Sequence, residues 1–308
     1  MPLLALNMLD KLAAELGIDL IGAARAEPLE NEALRLKNWL AKEFHGEMAY
    51  MEKYQDLRQD LNLLHPGSRS VIMIGMNYYG EIQRGATSPK ISRYVTEKDY
   101  HRVLKMKLQS LLERLQKIDS SITGQIFTDS APVFEKSWAV RAGLGWIGKN
   151  TCLINPQFGS WLFLGGIASN LAFDSYSRAM PERCGKCTRC LNSCPTRAFP
   201  LPFQLDARRC ISYLSIEDRS PDFSQEIKLF GWLYGCDICQ ENCPWNMRFA
   251  KISANPELQP AKEIHSLTFS EWESRSHNQL KKIMKPTAMT RQRLPLLKRN
   301  LKIILEET

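Results

Sequence analysis

The chain has 308 residues, of which 44% are hydrophobic and 24% charged, which is the composition of a folded globular protein rather than a disordered one. The longest apolar stretch, near WLFLGGIA at 161–168, is too short to cross a bilayer, so we expect no membrane-spanning segment. The formal net charge of +8 is compatible with a polyanionic partner but does not establish one.

The N-terminal segment MPLLALNMLDKLAAELGIDL lacks the basic start of a secretory signal and has no twin-arginine pair. We therefore read it as a helix of the mature protein and expect a cytoplasmic protein with no membrane association. We also expect a monomer. In a reducing compartment, the nine cysteines are more often metal ligands or catalytic thiols than disulfides.

Periodicity predicts alternating helices and strands over the first half of the chain. A helix ends at Gly17 and is followed by a strand at IGAA, and the apolar run 70–78 indicates a buried strand. Leucines at helical spacing predict a long helix over 99–118. A strand over 125–128 then ends at Asp129, and a helix over 131–143 is predicted to close at Gly143. Asp129 would thus lie at a strand-to-helix junction, a common place for functional groups.

The segment from about 181 to Trp245 is rich in cysteine, proline and arginine, which suits a small module organised by metal. The run CGKCTRCLNSCP at 184–195 has the bacterial ferredoxin spacing, in which three thiolates bind one iron–sulfur cubane and the fourth binds a second. A zinc ribbon would instead carry two well-separated pairs. A second run, CDICQENCP, has Asn242 where an ordinary ferredoxin run has a cysteine.

Two cubanes need eight thiolates, and Cys210 lies between the two runs. If ligands cross over in both directions, the first cysteine set is Cys184, Cys187, Cys190 and Cys243, and the second cysteine set is Cys194, Cys210, Cys236 and Cys239. Cys152 is left over, and we interpret it as a small buried apolar side chain.

The letters GLGWIG at 143–148 match a dinucleotide-binding fingerprint, but they follow a predicted helix and lead into strand-like sequence. Because the fingerprint must follow a strand and open a helix, we reject NAD binding. A loop of this kind, with Lys149, Asn150 and the later Ser160, could surround a large polar cofactor.

The sequence resembles the epoxyqueuosine reductase family over essentially its whole length. The resemblance is carried by DSAPVFEKSWAVRAGLGWIGKNTCLINPQFGSWLFLGG, CGKCTRCLNSCPTRAF, CDICQENCPWN, YQDLRQDLNLLHPGSRSVI and LLKRN. It implies an α+β protein with an α/β cobalamin-binding domain related to that of reductive dehalogenases, at 1–175, and a ferredoxin-like domain with two [4Fe-4S] clusters, at 176–255. A basic helical segment would follow at 256–308, without the C-terminal helical repeats of many members.

By this resemblance the chain reduces epoxyqueuosine to queuosine in the anticodon loop of tRNA, and Asp129 is the proton donor. We expect burial to raise the pKa of Asp129, since only a protonated carboxyl can serve this role near neutral pH. The expected cobalamin contacts are Arg58, Tyr94, Asp129, Lys149, Asn150 and Ser160. Local sequence alone also permits Asp129 to be a helix N-cap, and Arg58 to be a solvated surface residue.

Residues 281–302 carry eight lysines or arginines and no acid, which suits the phosphates of tRNA. The expected contributors are Lys281, Lys282, Lys285, Arg291, Arg293, Lys298 and Arg299, with Arg208 and Arg209 beside Cys210. An electron donor is also required, and the sequence does not identify it.

Three other functions stay open at this point. The first is a cobalamin-dependent reductase of a small molecule, such as a reductive dehalogenase, although a small substrate gives no reason for the basic segment. The second is a ferredoxin-type electron-transfer protein, which would bind no cobalamin. The third is a zinc-stabilised RNA-binding module, which would be colourless where paired cubanes are brown.

Overall fold

The computed structural model describes residues 2–221 and 227–307 and confirms the α+β organisation. Its strands are β1 (Leu3–Leu4), β2 (Leu20–Arg25), β3 (Ser70–Asn77), β4 (Lys90–Ile91), β5 (Gly124–Phe127), β6 (Trp146–Ile147), β7 (Leu153–Ile154), β8 (Leu162–Ser169), β9 (Ala172–Phe173) and β10 (Trp232–Tyr234).

The α-helices lie between and after these strands. They are α1 (Met8–Leu16), α2 (Glu30–Ala41), α3 (Gln55–Gln59), α4 (Tyr100–Ile118), α5 (Glu135–Arg141), α6 (Arg189–Asn192), α7 (Ile211–Ile216), α8 (Ile238–Glu241), α9 (Pro244–Phe249), α10 (Lys262–Ser266), α11 (Phe269–Ser274), α12 (His277–Met284) and α13 (Leu294–Glu306). No helix in the described part of the chain is long and apolar enough to span a membrane.

A four-stranded antiparallel sheet in the order β2-β3-β8-β5 forms the centre of the N-terminal part. All eight residues of β3 are buried, which explains why its sequence is almost entirely apolar between Ser70 and Asn77. Ile72, Ile74 and Met76 face the core formed with α1 and α4, whereas Val71 and Met73 face α5 on the other side. Successive side chains of β3 point to opposite faces of the sheet, so the strand packs against helices on both faces.

The C-terminal helices share one apolar core with the segment around β10. Trp232 and Leu233 pack with Trp272 of α11, Leu280 of α12 and Leu297 of α13. Two capping boxes, at Thr268 before α11 and Ser276 before α12, satisfy the free N–H groups of those helices. The domain boundaries expected from sequence stay a prediction.

The turn between β5 and α5 differs from the expected helix over 131–143. The helix begins only at Glu135, because Asp129 has a left-handed backbone (φ 53°) and the N–H of Val133 turns back to the carbonyl of Ala131 at 2.8 Å. Phe134, not Asp129, is the N-cap residue, so the interpretation of Asp129 as a helix cap is wrong.

Candidate active site and cysteine sites

The main cavity has a volume of about 760 Å³ and lies between the β5–α5 turn, the start of α4 and the residues before α13. Its lining includes three of the six residues expected to contact cobalamin, namely Arg58, Tyr94 and Asp129. The rest of its polar lining comes mainly from Tyr50, Tyr54, Tyr100, His101, Ser130, Ser212, Glu217, Arg219, Tyr234, Arg291, Gln292 and Arg293.

Asp129 faces this cavity with 45% of its side chain exposed. Its Oδ2 lies 2.8 Å from Nε2 of His101 and 3.4 Å from a guanidinium nitrogen of Arg291. The Arg291 guanidinium also contacts His101. The β5–α5 turn thus aims one carboxylate at a histidine from α4 and an arginine from the C-terminal segment.

His101 is held by a second carboxylate at the start of α4. Asp99 caps the helix by accepting a hydrogen bond from the backbone N–H of His101 at 3.0 Å, and its Oδ1 also lies 2.5 Å from Nδ1 of the ring. Each nitrogen of the imidazole therefore faces a carboxylate, Asp99 on one side and Asp129 on the other. Such a chain fixes the orientation of the ring beside Asp129.

The expected rise in the pKa of Asp129 is wrong. Burial does raise this pKa, but the hydrogen bond from His101, the charges of His101 and Arg291 and a hydrogen bond from Tyr100 outweigh it. The net result is a pKa below the ordinary value, so Asp129 is a carboxylate at neutral pH. Sequence reasoning missed this because neither cationic partner is close to Asp129 in the chain.

Glu135, the first residue of α5, is a carboxyl group next to Asp129 with a raised pKa. Burial and the nearby charge of Asp129 raise its pKa to about 8. Its Oε1 accepts a hydrogen bond from the backbone N–H of Asp129 and so ties the left-handed turn to the helix. An acidic residue near the start of the predicted helix was the available signal, but it does not distinguish this role from ordinary helix-end electrostatics.

Arg58, in α3, is only 9% exposed, so its interpretation as a solvated surface residue is wrong. One of its terminal nitrogens donates to the carbonyl of Tyr50 at 3.3 Å, whereas its buried Nε has no hydrogen-bond partner in the described structure. Tyr94 packs against Tyr234 with ring centroids 5.8 Å apart. Burial raises the pKa of Tyr94, which keeps its phenol protonated.

A smaller cavity of about 280 Å³ is lined by all four members of the first cysteine set. Cys184, Cys187 and Cys190 come from one short segment and Cys243 from the residue before α9, so the fold brings together thiols that the sequence separates. The same lining includes Lys149, Asn150, Arg183, Trp245 and Phe249.

The second cysteine set is also brought together. Burial raises the pKa of the Cys210 thiol, and nearby Cys194 raises it further. The pKa of Cys236 is raised by burial, with Cys210 and Cys194 adding to the effect. Cys152 interacts with the thiol of Cys239, which lowers the pKa of Cys152 and raises that of Cys239. Cys152 is only partly buried, and its interpretation as a small buried apolar side chain missed this neighbour, which is distant in sequence.

Lys149, Asn150 and Ser160 lie outside the lining of the main cavity and against the cysteine-bearing segments. Lys149 Nζ donates to the carbonyls of Gly185 and, at 2.9 Å, Cys187. Asn150 donates to the carbonyl of Cys239 at 3.4 Å, and the Ser160 hydroxyl accepts from Asn246 at 2.9 Å. These contacts tie the hairpin of β6 and β7 to the cysteine sites. A role in cobalamin binding stays a prediction for all three.

The glycines of GLGWIG serve this hairpin rather than a nucleotide. A Cβ on Gly145 would lie 2.2 Å from the carbonyl oxygen of Ile154, so only glycine allows the two strands to approach. The motif leads from α5 into β6, which agrees with the rejection of a dinucleotide fingerprint.

The basic residues near the C-terminus do not form one surface. Arg299 is buried and donates to the carbonyls of Leu214, Asp218 and Ser220, so its expected exposure to tRNA is wrong. Arg291 lies in the main cavity. The remaining candidates are exposed: Arg208, which pairs with Asp206, and Arg209, Lys281, Lys282, Lys285, Arg293 and Lys298.

Comparison with known families identifies two regions. Residues 58–130 match the family described as epoxyqueuosine reductase QueG, DUF1730. Residues 183–246 match the 4Fe-4S double cluster binding domain. The second match covers all eight predicted ligands, namely the seven cysteines of the two runs and Cys210 between them.

Curated relatives extend this similarity to nearly the whole chain. An epoxyqueuosine reductase of Leadbetterella byssophila is 42% identical over 296 residues, covering 96% of both chains. One of Cellulophaga algicola is 40% identical over 291 residues, covering 94% of both chains.

Among solved structures, an epoxyqueuosine reductase in complex with an epoxyqueuosine-modified tRNA stem loop superposes with a TM-score of 0.88 at 28% identity, covering 97% of this chain and 81% of that one. An epoxyqueuosine reductase from Bacillus subtilis, with its catalytic aspartate loop swung out of the active site, has a TM-score of 0.86 at 27% identity, with the same coverage of both chains. With relatives this similar over almost its full length, the chain belongs to the epoxyqueuosine reductase family.

Proposed function

We propose that this protein reduces epoxyqueuosine to queuosine in tRNA, using two [4Fe-4S] clusters and cobalamin. The observation that carries the proposal is the convergence of Asp129, His101 and Arg291 on one large cavity, in a chain that also carries a double-cluster domain. The relative solved with an epoxyqueuosine-modified stem loop supports the choice of substrate.

The thiols present suit iron–sulfur clusters. Each cysteine set offers four sulfur ligands, the number that a [4Fe-4S] cubane takes. The first set lines a cavity with no acidic or histidine ligand in its lining, as expected for a site that selects soft thiolate-bound iron. In this proposal, Lys149 orients the first run through its bonds to the carbonyls of Gly185 and Cys187.

The main cavity suits a large cofactor rich in amide and phosphate acceptors. Arg58 supplies a buried Nε donor that no protein group satisfies, and a buried donor of this kind favours a ligand acceptor. When bound, cobalamin supplies reduced cobalt, a nucleophile strong enough to open an epoxide. Arg58 and Tyr94 would hold the cofactor beside Asp129.

Removal of the epoxide oxygen to give an alkene consumes two electrons and two protons and releases water. We assign proton delivery to Asp129 together with His101. Since Asp129 is ionised at rest, it must take up a proton before it can donate one to the oxygen that leaves the ring. His101, whose Nε2 lies 2.8 Å from the carboxylate, is the group placed to relay that proton. Arg291 stabilises the negative charge that develops on this oxygen.

The decisive experiment is anaerobic turnover of epoxyqueuosine-containing tRNA by protein with reconstituted clusters, added cobalamin and a chemical reductant. Mass spectrometry of digested nucleosides should detect the loss of one oxygen. We expect Asp129→Asn to lower kcat by about 10²- to 10⁴-fold, because the amide cannot carry the proton. Asparagine tolerates the left-handed backbone at this position, so the turn should persist.

Iron content, visible absorbance and cobalamin binding serve as controls and should match the unsubstituted protein. Full turnover by Asp129→Asn would remove Asp129 from the mechanism. Absence of turnover by fully loaded, unsubstituted protein would reject the proposed activity.

A further inference from the structure

A third cavity, of about 480 Å³, lies beside the main one and rests on α12 and the start of α13. We call it the basic cavity. Its ionisable lining is entirely basic or imidazole: His277, Lys281, Lys285 and Arg293. The remaining lining residues are Met284, Thr290, Gln292, Leu294 and Pro295.

The charges of the basic cavity come from one face of a helix and an adjacent N-cap. His277, Lys281 and Lys285 follow one another at intervals of four residues along α12 and its C-cap, so they lie on the same face. Like charges at this spacing destabilise a helix. None of the four ionisable side chains forms an ion pair with an acid among residues 2–221 and 227–307. These like charges destabilise the helix and have no acidic partner within the described residues. We therefore infer that an anion from outside the protein binds them.

The basic cavity adjoins the main cavity, because Gln292 and Arg293 line both. Gln292 is buried and donates to the carbonyl of Ser215 at 3.0 Å, which anchors the strip of backbone between the two cavities. On one side of this strip Arg291 reaches Asp129, and on the other side the lysines of α12 face solvent. A polymer with one unit in the main cavity would therefore place its neighbouring units at the basic cavity.

We propose that the basic cavity binds the backbone phosphates of the nucleotides next to the modified nucleoside, a role that rests on the function proposed above. Ammonium and guanidinium groups neutralise phosphate without reading sequence, and the Thr290 hydroxyl adds a neutral donor. The cavity thereby sets the register of the RNA, so that one nucleoside extends from an anticodon loop into the main cavity.

The test removes two of these charges with Lys281→Gln combined with Lys285→Gln. Each lost phosphate contact should reduce the magnitude of the slope of log K against log salt concentration by about 0.7. For two lost contacts, the slope for binding of an unmodified anticodon stem-loop RNA should decrease in magnitude by about 1.4. In turnover of epoxyqueuosine-containing tRNA, KM should rise about tenfold while kcat at saturation changes less than about twofold.

Two matched double variants separate the effect of where charge is removed from the effect of how much charge is removed. Lys105→Gln with Lys117→Gln removes the same charge from exposed positions of α4 that line neither cavity, and it should leave the salt slope and KM unchanged. Lys281→Arg with Lys285→Arg keeps the charge and should restore binding. Thermal unfolding of all variants should coincide, since the lysines are exposed.

An unchanged salt slope and KM in the Lys281 and Lys285 double variant would overturn the proposal, and so would an equal loss in the α4 control. A loss confined to kcat would also overturn it, because it would mean that the cavity acts in chemistry rather than in binding. If the unsubstituted protein bound RNA through these lysines but did not reduce epoxyqueuosine, the proposed activity would be rejected. The proposed role of the basic cavity in RNA binding would be retained.

Discussion

At the scale of single residues, neighbouring carboxyl groups differ in their charge because their partners differ. Asp129 lies against His101 and Arg291, which lower its pKa, whereas Glu135 is partly buried next to the charge of Asp129, which raises its pKa. The sequence identifies Asp129 through its motif but does not reveal these partners. His101 and Arg291 are distant in the chain, and only folding brings them to the carboxylate.

The raised pKa of Glu135 makes stability depend on pH. Between its ordinary value of 4.5 and about 8, the native state holds a proton that the unfolded chain has released, so the free energy of unfolding falls as pH rises. Glu135→Gln has no proton to lose. We therefore expect its melting temperature to fall less than that of unsubstituted protein between about pH 5 and about pH 8.

Differential scanning calorimetry at the two pH values measures this difference. The groups that act on Glu135 are Asp129, Lys136 and Arg58, and all of them are retained in the variant. Glu273→Gln, at an exposed position of α11, is the control and should follow the unsubstituted protein. Parallel curves for Glu135→Gln and the unsubstituted protein would contradict the raised pKa.

At the scale of elements, sequence periodicity predicts the long helices and strands well and the short ones poorly. The strand expected over 70–78 is β3 and the helix expected over 99–118 is α4, because each has a long apolar pattern that burial enforces. The helix over 131–143 is shorter than expected, since the left-handed Asp129 and the turn at Val133 override local helix preference. Loop conformations of this kind depend on tertiary contacts that cannot be predicted from a single sequence.

Helix α13 shows how a charged residue can be structural. Arg299 donates to three carbonyls of the segment 214–220, so truncation would leave buried acceptors unsatisfied. We expect Arg299→Ala to lower the free energy of unfolding by about 3 kcal/mol. Urea denaturation measures this change. Lys298→Ala, one residue earlier and exposed, should cost less than about 0.5 kcal/mol. Equal costs would mean that the Arg299 contacts contribute nothing.

At the scale of the whole molecule, each cysteine site combines distant parts of the chain. Crossover spacing led to the two cysteine sets, and the fold places all four members of the first set around one cavity. The proximity of Cys152 to Cys239 could not be predicted from the cysteine spacing, because it depends on how the β6–β7 hairpin packs against the segments that carry the cysteines.

The assignment of Cys210 can be tested by removing its sulfur. Cys210→Ser should lower bound iron by about half and eliminate one of two cluster signals in electron paramagnetic resonance of reduced protein, since a cubane needs four ligands. Cys152→Ser is the matched control, because this thiol lies beside the second set but belongs to neither set, and it should retain both signals. Unchanged iron in Cys210→Ser would contradict the assignment.

The contribution of Cys243 to the first cavity has a consequence for biosynthesis. A ribosome adding about 5–20 residues per second makes Cys243 several seconds after Cys190, since about 50 residues separate them. During that interval the nascent chain exposes three thiols of an incomplete site. If Cys243 completes the first cluster as proposed, insertion of that cluster must wait until the second run has left the exit tunnel.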